Sequence, residues 1–95
     1  GEAVAIGMAT VTRAAVTRRI CGEETLRRLL KILHRYGLPT ETGYALDKLY
    51  EAELVDKKIS GGKMHLIVPE KIGQVRVETI PVEMLRDWMR DGGIR

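Results

Sequence analysis

The stretch GEAVAIGMATV, residues 1–11, carries a single charge, at Glu2, in a chain of 95 residues. The nine residues that follow Glu2 have no charge at all. If this stretch is helical it has no polar side, and a helix that is apolar all round is buried on every side. A chain of this length buries only roughly 60–70% of its unfolded surface. We therefore expect residues 1–11 to pack against protein that is not in the sequence.

The composition limits the environment of the chain. A single cysteine, Cys21, cannot form an internal disulfide, which suits a reducing compartment. The sequence has no run of about 18 apolar residues, so we expect no transmembrane helix, and residues 1–11 lack the basic leader of a signal peptide. A net charge of +3 with both signs well mixed is weak support for nucleic-acid binding. Because the chain starts at Gly1 without a methionine, we expect a fragment or a processed piece.

Apolar residues at helical spacing predict three helices in the first part of the chain. The first covers about Glu2 to Arg19, with Gly22 as its terminator. It contains Gly7, which we interpret as a point of close packing between helices. The second helix covers about Glu23 to Tyr36, and the third covers about Tyr44 to Lys57. The second and third helices each have an apolar stripe opposite a charged face, as expected for helices that pack on a core.

A β-hairpin and a fourth helix are predicted for the rest of the chain. Apolar and polar residues alternate over Lys63 to Pro69 and again over Gln74 to Thr79, with a four-residue connection, Glu70 to Gly73. Pro81 is expected at the first position of the fourth helix. That helix is expected to bury Val82, Leu85, Trp88 and Met89. The predicted fold is therefore mainly α, with four helices and one β-hairpin between the third and the fourth.

The sequence contains no self-contained catalytic constellation. It has no Ser-His-Asp or Cys-His set, no phosphate loop and no zinc-type spacing. We expect His34 and His65 at the surface rather than in a metal site. Three helices and a hairpin are also the order of a winged-helix DNA-binding domain, whose third helix enters the major groove. Residues 44–56 carry four acidic side chains and one lysine, a net charge of −3 that phosphates would repel, so this function is kept only as the alternative.

Four blocks of sequence occur in an order that is typical of one enzyme family. They are GEAVAIGM at 1–8, RYGLP at 35–39, DKK with GG two residues later at 56–62, and LIVPEKIG at 66–73. Together they closely resemble the C-terminal helical region of 3-dehydroquinate synthase, whose pattern reads H-G-E-A-V-x-I-G-M, then R-Y/A-G-L-P, then D-K-K-x-x-G-G/A. The resemblance covers essentially the whole chain, although residues 40–50 look shorter than in many members.

The resemblance implies a cytoplasmic enzyme of the shikimate pathway, which leads to the aromatic amino acids. The family's enzyme is a carbon–oxygen lyase that converts 3-deoxy-D-arabino-heptulosonate 7-phosphate to 3-dehydroquinate and phosphate. It uses bound NAD, which is reduced and re-oxidised within one turnover. It also uses a divalent metal, usually zinc, which acts as a Lewis acid. Oxidation of a ring hydroxyl to a ketone acidifies the neighbouring proton, and this allows phosphate to leave.

The resemblance also implies which parts lie elsewhere. Residues 1–95 would be a single C-terminal helical domain, and its partner would be the N-terminal NAD-binding α/β domain, which the chain lacks. A metal-ligand histidine would precede Gly1, so no catalytic, cofactor-binding or metal-ligating residue is expected in this chain, and alone it should be inactive. The parent enzyme is expected to be a homo-oligomer without a nucleic-acid or membrane partner. A structural remnant with no activity is a third interpretation.

Lys57 and Lys58 are the candidate substrate-binding residues. A lysine of the D-K-K block contacts the anionic substrate in the family resembled, and the sequence does not decide which of the two matches it. Without the resemblance, two lysines at the end of a helix complement the helix dipole. The loop Ser60-Gly61-Gly62 would let this end of the helix face a cleft. Neighbours on a helix point about 100° apart, so we expect one lysine to contact the substrate and the other to be exposed.

Overall fold

The chain folds into four helices and one β-hairpin in a computed structural model, which describes residues 2–59 and 61–95. This confirms the predicted mainly-α fold, with the hairpin between the third and fourth helices. Gly1 and Ser60 lie outside the described residues. The elements are α1 (Glu2–Thr17), α2 (Glu23–Arg35), α3 (Leu46–Ile59), β1 (Lys63–Lys71), β2 (Gln74–Pro81), a 3₁₀ turn (Val82–Met84) and α4 (Leu85–Asp91).

The main core lies where the hairpin packs on the second half of α1 and on α4. Ala14 and Ala15 of α1 are fully buried there, and their small side chains let the neighbouring elements approach closely. β1 contributes Leu66 and Val68, which alternate with exposed residues as expected for a strand with one buried face. Trp88 of α4 completes this core and is 4% exposed. The predicted buried stripe of the last helix is therefore found, with Val82, Leu85 and Trp88 buried and Met89 half-buried.

A smaller core joins the first half of α1 to α2. Ala5 and Ala9 are buried against Leu33 of α2. The opposite side of the same half-helix has no cover within the described chain, since Val4 is 64% exposed and Met8 is 46% exposed. Between Val4 and Ala9 the helix is therefore apolar all round but buried on one side only.

The first helix ends earlier than predicted, at Thr17 rather than Arg19. The Ile20 N–H donates to the Ala15 carbonyl at 2.8 Å and the Arg19 N–H donates to the Val16 carbonyl at 3.1 Å. These two bonds form a Schellman cap, in which the residue after the helix takes a left-handed conformation. That residue is Arg19, with φ 62°. Gly22, the predicted terminator, instead precedes α2 as its N-cap.

The hairpin and the start of the last helix also differ from the prediction. Cross-strand pairing continues to Lys71 and Gln74, which leaves a two-residue turn instead of four residues. The pairing is irregular between Pro69 and Lys71, and this bulge takes up the extra residue. Pro81 is the last residue of β2, opposite Lys63, and not the first residue of a helix.

The close helix packing that was predicted at Gly7 occurs at Gly92 instead. A Cβ on Gly7 would meet no atom within 4 Å. A Cβ on Gly92, directly after α4, would overlap the carbonyl oxygen of Thr10 on α1. The position where only glycine fits is therefore the crossing of α1 and the end of α4.

Candidate functional site

The candidate lysines lie in the last turn of α3, and their side chains differ in burial. The Lys57 side chain is half-buried, at 32% exposed, and its Nζ lies 3.5 Å from Oδ2 of Asp56. Lys58 is exposed. This division follows from the packing of α3, whose inner side bears Leu46 and the half-buried Tyr50. The structure thus separates the two lysines in environment, and their role in substrate binding stays a prediction.

A tight backbone turn closes the helix directly after the lysines. The Gly62 N–H donates to the Lys57 carbonyl at 2.7 Å, and the Gly61 N–H donates to the Lys58 carbonyl at 3.4 Å. Both glycines have positive φ, 105° at Gly61 and 77° at Gly62. Ser60 of the predicted loop lies outside the described residues. This is the bond pattern of a Schellman cap, and the two carbonyls that it satisfies belong to the two candidate lysines.

The two histidines lie at the surface, as expected. His65 of β1 is exposed, and its Nδ1 lies 2.8 Å from Oγ1 of Thr79 on the paired strand. His34 of α2 is exposed, and its Nε2 lies 3.2 Å from Oγ1 of Thr40. Each imidazole therefore has a threonine hydroxyl as its neighbour rather than a second metal-ligand type.

The residues described do not form a metal site. Across 2–59 and 61–95, no three His, Cys, Asp or Glu side chains come close enough together to hold a metal ion. Cys21, a soft ligand type, is buried, and burial raises the pKa of its thiol above the ordinary value. A neutral buried thiol is a poor ligand and a poor nucleophile.

A cavity of about 620 Å³ lies at the opposite end of α3, where the sequence predicts no site. Its lining residues include three with charged side chains, Arg13, Glu41 and Arg95. One Arg13 nitrogen, Nη1, is already engaged, since it donates to the Thr40 carbonyl at 2.7 Å. Lys57 and Lys58 are not among its lining residues. Its lining residues come from segments far apart in the chain, so no local sequence pattern predicts this cavity.

The third helix presents acidic side chains to solvent. Asp47 and Glu51 are exposed on α3, the helix that a winged-helix protein would place against phosphates. Among the described residues, no helix combines the length and the apolar character needed to cross a membrane.

Comparison with known proteins matches the chain to one family. A family model described as 3-dehydroquinate synthase C-terminal matches residues 1–59. A 3-dehydroquinate synthase of Enterococcus faecalis is 36% identical over 96 residues, which cover 99% of this chain and 27% of the relative. Proteins of the same name from Dictyoglomus turgidum and Nostoc punctiforme are 40% identical over 81% of the chain and 34% identical over 95% of it. The chain thus spans about a quarter of the length of these curated relatives.

Proposed function

The chain belongs to the 3-dehydroquinate synthase C-terminal family, and we propose that it forms one wall of the active-site cleft of such a synthase and supplies a substrate-binding lysine. The parent enzyme would convert 3-deoxy-D-arabino-heptulosonate 7-phosphate to 3-dehydroquinate and phosphate. The observation that carries the proposal is the position of Lys57 and Lys58 at the capped end of α3, within the D-K-K-x-x-G-G block of the family.

The chemistry of the substrate favours a lysine at this position. The substrate carries a carboxylate and a phosphate, and an ammonium group is a compact point charge suited to a phosphate. Of the two candidates we propose Lys57 as the contact. Its side chain is already partly ordered beside Asp56 and half-buried, so less side-chain entropy is lost when it binds an anion. Lys58 is exposed and would stay in solvent.

The proposed cofactors of the parent enzyme are NAD and a divalent metal, usually zinc. The described residues do not fit the metal, because they bring no set of three ligand side chains together. Both cofactors would be held by parts of the synthase outside this chain. The contribution of this chain would be to bind and orient the anionic substrate, and we infer that the chain alone does not catalyse the reaction.

The proposed partner is the NAD-binding α/β domain of the same enzyme, packed on the uncovered side of α1. That side carries Val4 and Met8, which are 64% and 46% exposed. Fully burying one such side chain contributes roughly 1.5–3 kcal/mol, which favours a protein partner over solvent. We also propose that the parent enzyme is a homo-oligomer with no nucleic-acid or membrane partner. The alternative function, a winged-helix nucleic-acid-binding module, would be revealed by a DNA band that shifts when the chain is added at moderate salt.

Phosphate release from the substrate, in the presence of NAD and zinc, tests the proposal. A full-length synthase that contains this chain should release phosphate, and the purified 95-residue chain should release none. The matched control is the rest of the synthase without this chain, which should be inactive alone and should regain activity when the chain is added. Turnover that tracks the concentration of the 95-residue chain by itself would refute the inactivity, and an inactive full-length protein would refute the function.

A further inference from the structure

The Schellman cap at the end of α3 links each candidate lysine to one glycine. Gly62 binds the Lys57 carbonyl at 2.7 Å, and Gly61 binds the Lys58 carbonyl at 3.4 Å. The shorter bond belongs to the half-buried lysine. The backbone of Lys57, and with it the base of its side chain, is therefore held from a residue that lies beyond the helix.

Gly62 is itself held by the core. Its carbonyl accepts a hydrogen bond from the Val82 N–H at 2.9 Å. Val82 begins the 3₁₀ turn and is fully buried, at 0% exposed. A continuous series of backbone bonds therefore runs from Val82 through Gly62 to Lys57. This series crosses from the segment before α4 to the end of α3, two parts of the chain that are about twenty residues apart in sequence.

The need for glycine at position 62 is conformational and not steric. A Cβ on Gly62 would meet no atom within 4 Å, so there is room for a side chain. The φ of Gly62, 77°, is left-handed, however. Glycine adopts this conformation freely and asparagine tolerates it, but other residues adopt it only at an energetic cost. An alanine would relieve the strain by rotating the peptide, and both backbone bonds of residue 62 would then be disturbed.

We propose that Gly62 is a positioning residue for the ammonium group of Lys57, which it aims by tying the last turn of α3 to the buried 3₁₀ turn. Its effect on catalysis rests on the proposed function, in which Lys57 contacts the anionic substrate. Its effect on the Lys57 side chain does not depend on that function.

Three variants of the full-length synthase test this inference. Gly62→Ala should lower kcat/KM roughly threefold to tenfold, mainly through KM, because a displaced cation binds the substrate less well. Gly62→Asn should lie closer to the wild type, because asparagine tolerates a left-handed φ. Gly73→Ala is the matched control: Gly73 also has a left-handed φ, 85°, and open space around it. It lies at the far tip of the hairpin, roughly 30 Å along β1, and its substitution should leave kcat/KM unchanged.

A second measurement reports on Lys57 without using activity. Each variant is acetylated with an N-hydroxysuccinimide ester, and the rates at the Lys57 and Lys58 amines are compared by mass spectrometry. Gly62→Ala should raise the rate at Lys57 relative to Lys58, and Gly73→Ala should not. If Gly62→Ala matches Gly73→Ala in both kinetics and acetylation, the positioning role is refuted. If Lys57→Ala keeps wild-type efficiency, the substrate role in the proposed function falls, and the acetylation rates still decide whether Gly62 positions Lys57.

Discussion

Gly92 and Thr10 meet backbone to backbone, with no space between them for even a methyl group. The contact joins the end of α4 to the middle of α1. Asp91, the residue before Gly92, makes a second contact: its carboxylate accepts a hydrogen bond from Nε of Arg18 at 2.9 Å. The guanidinium of Arg18 also lies over the ring of Trp88, 4.3 Å from its centroid. Close packing, an ion pair and a cation–π contact thus attach the end of α4 and Gly92 to α1 and to Arg18, the residue that follows it.

Substitution of Gly92 by alanine should destabilise the protein by about 2 kcal/mol, within the range for overpacked sites. The added methyl group would meet a backbone carbonyl, which cannot rotate away as a side chain can. Urea denaturation of the 95-residue chain measures the change. Gly7→Ala is the control, because Gly7 lies within α1 with open space around it, and it should raise stability by about 1 kcal/mol. Equal effects of the two substitutions would contradict the close approach.

Lys57→Ala in the full-length synthase should lower kcat/KM by about tenfold to a hundredfold, because a charge-assisted hydrogen bond is worth roughly 1.5–3 kcal/mol. Lys58→Ala is the matched control and should change little, since Lys58 is exposed. Steady-state kinetics at moderate salt distinguish the two. Wild-type efficiency in both variants would mean that the lysines only complement the helix dipole, and the opposite order would assign the contact to Lys58.

The isolated chain should self-associate through the uncovered side of α1, because the exposed Val4 and Met8 form an apolar surface there. Sedimentation velocity over a range of concentrations should detect the association, and Met8→Lys should weaken it. Val77→Lys is the control, since Val77 is exposed on the outer face of the hairpin. Association that persists in Met8→Lys and disappears in Val77→Lys would place the contact on the hairpin instead.

The stability of the chain should fall as the pH rises above about 8.5, the ordinary pKa of a cysteine thiol. Burial raises the pKa of Cys21 in the folded state, so the unfolded chain loses its thiol proton first. The contribution of the Cys21 thiol to the free energy of unfolding is therefore complete below the pKa that this thiol has in the unfolded chain. It is lost as the pH rises through the higher pKa of the folded chain. Chemical denaturation between pH 7 and 10 measures the slope. Cys21→Ala should have a shallower slope over this range, and an unchanged slope in that variant would disprove the contribution.

The spacing of apolar residues in the sequence was enough to predict the helices, the strands and their order. The apolar stripe of α4 and the alternation of β1 are local patterns, and both are found where they were predicted. The ends of elements were less predictable, because they depend on bonds between distant residues. Pairing of Lys71 with Gln74 shortened the turn of the hairpin, and pairing of Lys63 with Pro81 kept that proline in the strand.

Local sequence patterns were sufficient to predict the mainly-α fold, the family and the pair of lysines in the D-K-K block. They could not predict which lysine is half-buried, because α3 carries apolar residues on both sides, with Leu46 buried and Val55 and Ile59 exposed. The predicted charged face of α3 therefore also holds the apolar Val55 and Ile59, and a helix with apolar residues on both faces has no hydrophobic pattern strong enough to select one of them. The packing of α3 against the hairpin and α4 selects the side, and so it is this packing that half-buries Lys57 and leaves Lys58 in solvent.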